Sequence, residues 1–73
     1  MADTKILTFD SVHHALRAEK ILRQNGIPIN VINTPRHISS DCGISLRFDG
    51  EWEEKIIKTL RVEEVEFKNI YSL

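Results

Sequence analysis

The chain contains a single cysteine, Cys42, in the segment SSDCG, and its thiol is the side chain best suited to nucleophilic chemistry. The thiolate is the reactive form, so reactivity depends on nearby positive charge, hydrogen-bond donors and access. Ser39 and Ser40 can donate hydrogen bonds to a negative group on sulfur. Gly43 permits unusual backbone angles and a close approach by a partner atom. Asp41 opposes activation, because a neighbouring carboxylate disfavours the thiolate.

Cys42 has a second interpretation as a packing residue. Free cysteine is often buried and then behaves as a small apolar side chain. Cys42 has the same parity as Ile44 and Leu46, so it could begin the buried row of a strand. The polar segment before it favours a reactive thiol, but the sequence leaves both interpretations open.

Four further side chains could assist a thiolate by adding positive charge or transferring a proton: His13, His14, Arg36 and His37. His13 and His14 diverge by about 100° on a helix, so we expect one to be solvated and one to lie at the edge of the apolar stripe. A histidine of this pair, His37 and Cys42 could form a soft metal site, but the tight ligand spacing of zinc sites is missing. We therefore expect no metal and no cofactor.

Apolar periodicity predicts the element order β-α-β-β-α-β. Ser11 is a predicted N-cap for the first helix, and Gly26 is its predicted stop. This order predicts an α+β, ferredoxin-like fold: one domain over residues 1–73, with a four-stranded antiparallel sheet and two helices on one face. The predicted strands cover residues 5–10, 29–34, 44–48 and 65–73, and the predicted helices cover 12–25 and 51–61.

The same patterns assign side chains to faces. The first helix carries an apolar stripe that starts at Val12, and the aromatic residues Phe67 and Tyr71 have core parity in the last strand. Glu19 is interpreted as a structural ion-pair partner at the margin of the stripe. A homodimer through the open face of the sheet is possible. The predicted open face comprises Ile6, Thr8, Asn30, Ile32, Ser45, Arg47, Glu66, Lys68 and Ile70.

The predicted topology brings distant segments to one edge of the sheet. The first two strands end there, the third strand begins there, and the first helix starts there. We therefore expect Ser11 to His14, Thr34 and Cys42 to converge. A helix N-terminus carries about half a positive charge, which favours a thiolate nearby.

Composition restricts the classes of function. The formal charge is −1, with 10 basic and 11 acidic residues, so no basic surface typical of nucleic-acid binding is expected. No apolar run approaches the ~18 residues of a membrane span, and the first residues do not form a secretory signal. A lone cysteine indicates a reducing, cytoplasmic compartment. No carboxylate pair or phosphate loop is present, so a turnover enzyme is not expected.

The combination of the helix HHALRAEKILRQNGI, the TPR before the loop and SS-x-CG before a strand resembles a family of small bacterial single-cysteine proteins named selenium/sulfur carrier protein-like. The resemblance implies that Cys42 accepts and donates sulfur or selenium as a persulfide or selenopersulfide, with donor and acceptor proteins of sulfur and selenium metabolism as partners. It singles out Cys42 and Gly43, with Pro35, Arg36, Ser39 and Ser40. The alternative is an interaction or regulatory domain in which Cys42 is structural, or a weak metal-binding module.

Overall fold

The computed structural model describes residues 3–38 and 43–72. The predicted order of elements is confirmed, although three strands are shorter than predicted and a 3-10 turn precedes the second helix. The elements are β1 (Thr4–Thr8), α1 (Val12–Gln24), β2 (Asn30–Asn33), β3 (Ile44–Asp49), the 3-10 turn Gly50–Trp52, α2 (Glu53–Val62) and β4 (Asn69–Ser72).

The four strands form one antiparallel sheet in the order β2-β3-β1-β4. Strand β3 lies between β1 and β2 and is antiparallel to both, so β1 and β2 run in the same direction. In the same way, β1 separates β3 from β4. Each βαβ half is therefore split by a strand of the other half, and the predicted α+β class with four antiparallel strands and two helices is confirmed.

Local signals account for both ends of α1. Ser11 is extended (φ −148°), and its hydroxyl accepts a hydrogen bond from the His14 backbone N–H, as an N-cap does. At the other end Gly26 has φ +72°. The Ile27 N–H donates to the Leu22 carbonyl at 3.0 Å, which closes a Schellman motif. The predicted cap and stop are therefore confirmed.

The core lies between the sheet and the two helices. Its larger members are Leu7, Phe9, Leu22, Leu46, Phe48, Ile56 and Leu60. The prediction that Val12 joins this core is wrong, because Val12 is exposed. The buried residues Ala15, Ala18 and Leu22 define a face of α1 that is centred about 90° from Val12 around the helix axis.

The predicted register of the last strand is also wrong. Tyr71 pairs with Ile6 and Ile70 pairs with Leu7, so Ile70 rather than Tyr71 lies on the helix side of the sheet, where it packs against the core. The strand begins only at Asn69. Val65 and Phe67 precede this strand, so the alternation of their side chains does not determine which face of the sheet Tyr71 lies on.

The sheet face away from the helices is only partly open. Asn30 and Arg47 are exposed, as predicted for this face, but Ile6, Thr8 and Ser45 are buried. The hydroxyls of Thr8 and Ser45 both have hydrogen-bond partners. The Asn69 N–H donates to the Thr8 hydroxyl at 3.1 Å, and the Ser45 and Thr34 hydroxyls share a hydrogen bond of 2.7 Å. Among the described residues, no helix is long and apolar enough to cross a bilayer.

Candidate functional site

The connection between β2 and β3 is closed at its base. Asn33 pairs with Ile44, and one step further the Thr34 N–H donates to the Gly43 carbonyl at 3.0 Å. The hydrogen bond between the Thr34 and Ser45 hydroxyls lies next to this pair. The residue that follows Cys42 in the chain is therefore fixed against the end of β2.

The strand pairings confirm one part of the predicted convergence, namely that the ends of β1 and β2 meet the start of β3, while the approach of Ser11 to His14 toward Thr34 stays a prediction. Leu7 pairs with Leu46, so the end of β1 lies next to the start of β3. The start of β3 in turn pairs with the end of β2, and Ser11 begins α1 shortly after β1. Cys42 itself, with Ser39, Ser40 and Asp41, lies outside the described residues, and its place in this group remains a prediction.

The first part of the connection forms a turn. The Ile38 N–H donates to the Pro35 carbonyl at 3.0 Å. Pro35 is half-buried, whereas Arg36 and His37 are exposed. Ile38 is buried, yet it is not a member of the core between helices and sheet. The turn thus presents a guanidinium and an imidazole to solvent while Ile38 anchors it.

The N-terminus of α1 contributes the two adjacent histidines. His13 is exposed and His14 is half-buried, which agrees with the predicted divergence of their side chains. The Nδ1 atom of His14 is buried and has no hydrogen-bond partner among the residues that the structure describes. A buried, unpaired polar atom costs about 1–3 kcal/mol, so a hydrogen bond to this nitrogen would be favourable.

Gly43 was predicted to permit an unusual backbone angle and a close approach by a partner. Its φ angle includes a backbone atom of Cys42, so the first of these roles stays a prediction. A Cβ atom added at Gly43 would meet no atom of the described residues within 4 Å. The open space at this position is consistent with the other predicted role, which is access for a partner.

Two predicted secondary roles can be compared with the structure. Glu19 accepts a hydrogen bond from Arg23 Nε at 3.1 Å, as expected for a structural ion pair one helical turn apart. Within residues 3–38 and 43–72, no three His, Cys, Asp or Glu side chains are grouped to hold a metal ion. The hypothetical metal site that includes Cys42 involves a residue outside this range.

Sequence reasoning missed a cavity at the opposite end of the sheet. It has a volume of about 400 Å³, and its lining includes Arg23, Arg47, Asn30 and Asp49. These residues come from α1, β2 and β3. The cavity forms because the fold brings these residues together, and no local sequence motif predicts it.

Comparison with curated proteins and with solved structures gave no match. One family model, described as "Putative Se/S carrier protein-like", matches residues 4–72. The matched range covers all strands and helices described above, the closed base of the β2–β3 connection, and Cys42. The chain therefore belongs to the Se/S carrier protein-like family.

Proposed function

We propose that the protein carries sulfur or selenium on Cys42. The observation that supports this function is the family match over residues 4–72, a range that contains the single cysteine of the chain. A carrier needs one accessible nucleophile that can be loaded and then unloaded by other proteins. Cys42 is the one thiol available for that role.

The proposed loading step is a thiol exchange. The Cys42 thiolate attacks the terminal sulfur of a donor persulfide, R–S–SH. The S–S bond of the donor breaks, R–S⁻ leaves with the bonding electron pair, and Cys42–S–SH forms. With R–S–SeH as donor, the same step gives Cys42–S–SeH. Unloading is the reverse reaction with an acceptor thiolate, and neither direction consumes an external oxidant or reductant.

The described surroundings support this chemistry in two ways. The hydrogen bond between Thr34 and Gly43 fixes the chain on one side of Cys42. The N-terminus of α1 begins at the same edge of the sheet, and Arg36 and His37 are exposed in the same connection, so positive charge is available to favour a thiolate. In this proposal they support the site and do not react.

The lone cysteine also explains why a loaded sulfur would persist. A second cysteine nearby would attack the persulfide and release its sulfur as an internal disulfide formed. The chain has one cysteine, so release requires an acceptor from outside. The proposal therefore includes donor and acceptor proteins in a cytoplasmic, reducing compartment, and the protein acts as a carrier rather than as a turnover enzyme.

The first experiment is the alkylation rate of Cys42 as a function of pH, in the folded protein and in denaturant. The proposal expects fast reaction in the folded state with an apparent pKa below the ~8.5 of a free thiol. Incubation with a small-molecule polysulfide should then add the mass of one sulfur atom to the intact protein, and Cys42→Ser should gain none. A thiol that reacts only after unfolding would contradict the proposal and support a structural cysteine.

A further inference from the structure

We propose that the free edge of β2, with the adjoining side of α1, is the docking surface for an extended acidic segment of a partner protein. The identity of that partner as the sulfur donor or acceptor rests on the proposed carrier function. The docking surface is defined by Val12, Leu16 and Arg23 on α1, by β2 (Asn30–Asn33), and by Arg47 on β3.

Among the strands that the structure describes, none pairs with the outer side of β2. The Thr34 N–H bonds to Gly43, and hydrogen-bonded pairs alternate along an antiparallel ladder. The N–H and C=O groups of Ile32 and Asn30 therefore also point toward β3, whereas those of Val31 and Asn33 point away from it. β2 is an outer strand of the sheet, so these groups can pair with an added extended chain.

Exposed apolar side chains border the same edge. In the described chain, the exposed large hydrophobic residues are Val12 (46%), Leu16 (48%), Val31 (39%) and Val62 (72%). Val12 and Leu16 are one turn apart and lie on the side of α1 that carries Arg23. Arg23 reaches a cavity that Asn30 of β2 also lines, so this side of α1 faces β2. Val31 opposes the core residue Leu46 and thus points to the helix side.

Charge is divided unevenly between the two halves of the chain. Residues 12–49 contain five Lys and Arg residues and three acids, together with all three histidines. Residues 50–72 contain six acids and four Lys and Arg residues. Of the three acids in the first range, Glu19 is bonded to Arg23. The half that contains α1, β2 and β3 is therefore basic although the whole chain has a charge of −1, and it favours an acidic partner.

The cavity at the start of β2 provides a place for a carboxylate. Arg23 and Arg47 both line it, and they outweigh the single carboxylate of Asp49. Within the described residues, no hydrogen bond or ion pair occupies the Arg47 guanidinium. Arg23 uses Nε for Glu19, which leaves its terminal nitrogens for another acceptor. Arginine is well suited to a carboxylate because its nitrogens can bind both oxygens.

The docking surface is continuous with the proposed carrier site. Asn30 lies at the cavity, and Asn33 is three residues further along β2, or about 10 Å at the rise of a strand. The next residue, Thr34, is bonded to Gly43. A segment that places a carboxylate in the cavity and pairs along β2 therefore ends at the base of the connection that contains Cys42.

Charge also distinguishes this occupant from two others. A second copy of the chain that paired through β2 would bring two basic halves together, which is unfavourable. Nucleic acid would use the basic groups but would leave the exposed apolar residues Val12, Leu16 and Val31 without a matching contact. An acidic extended protein segment uses the backbone edge, the apolar side chains and the two arginines together.

Selection of random displayed dodecapeptides on the full chain tests the proposal. We expect enriched peptides to be acidic with alternating apolar residues, and to shift the NMR amide signals of Val31 and Asn33. Arg47→Gln and Leu16→Ser should each weaken binding by about tenfold, or ~1.4 kcal/mol. Val62→Ser, at the exposed valine on α2, is the matched control and should bind like the unchanged protein.

Four results would overturn the proposal: no enrichment, enrichment of neutral or basic peptides, shifts confined to another surface, or equal binding by Arg47→Gln, Leu16→Ser and the control.

Cys42→Ser should keep peptide binding, and Arg47→Gln should keep loading by small-molecule polysulfide. Failure of loading with intact peptide binding would refute only the carrier function. Intact loading without peptide binding would refute only the docking surface.

Discussion

The hydrogen bond between the Thr34 and Ser45 hydroxyls makes a quantitative prediction about the base of the β2–β3 connection. Its oxygens are 2.7 Å apart, and Ser45 is fully buried (0% exposed). Thr34→Val has nearly the same shape but removes the partner of a buried hydroxyl. The full desolvation penalty then applies, and we expect a loss of about 1–3 kcal/mol in the free energy of unfolding.

The double-mutant cycle separates this bond from changes in packing. Ser45→Ala alone leaves the Thr34 hydroxyl on a half-buried residue and should cost less, about 0.5–1.5 kcal/mol. Replacing both hydroxyls leaves no orphaned group on Ser45, so Thr34→Val with Ser45→Ala should be clearly less destabilised than the sum of the single variants.

Urea unfolding gives the free energies, and thermal unfolding gives an independent check. In a domain of this size, each 1 kcal/mol lowers Tm by about 4–8 °C. Additive effects in the double variant, or a Thr34→Val cost below about 0.5 kcal/mol, would refute the reasoning. Either result would show that the hydroxyl pair does not stabilise the end of β2.

Three further substitutions have definite expected outcomes. Ser11→Ala removes the cap of α1 and should cost about 1 kcal/mol in urea unfolding, whereas Ser11→Asp should retain most of the stability; equal losses would contradict the capping role. Gly26→Ala forces a Cβ into a positive-φ residue and should cost about 1–2 kcal/mol, with Gly26→Asn less affected. Gly43→Ala meets open space, so Tm should be maintained while loading of Cys42 by a protein donor slows; an unchanged loading rate would exclude an access role.

Features with local causes could be predicted from the sequence. Ser11 and Gly26 fix α1 by hydrogen bonding and backbone conformation within a few residues, and both predictions were confirmed. The ion pair between Glu19 and Arg23 follows from helical spacing alone. The meeting of the end of β2 with the start of β3 was predicted from topology, because the split order of strands determines which ends meet, whereas the bond between Thr34 and Gly43 was not predicted.

Features set by distant pairing could not be predicted in the same way. The parity of Tyr71 depends on where β4 joins β1, and that junction involves hydrogen bonds between Thr8 and Asn69 that no local pattern reveals. The burial of Ser45 and the cavity between Arg23 and Arg47 likewise depend on residues brought together by the fold. The reactivity of Cys42 remains a prediction.

The hydrogen bond from Thr34 to Gly43 has a consequence for how the connection can evolve. Because the two ends of the connection are bonded to each other, the pairing of β2 with β3 depends on those ends, and the buried Ile38 is a further position that packing constrains. Doubling the length of a flexible loop costs only about 0.6 kcal/mol in closure entropy. We therefore expect that the length of the chain between Ile38 and Gly43 can change at small cost in stability while the fold that holds its two ends stays the same.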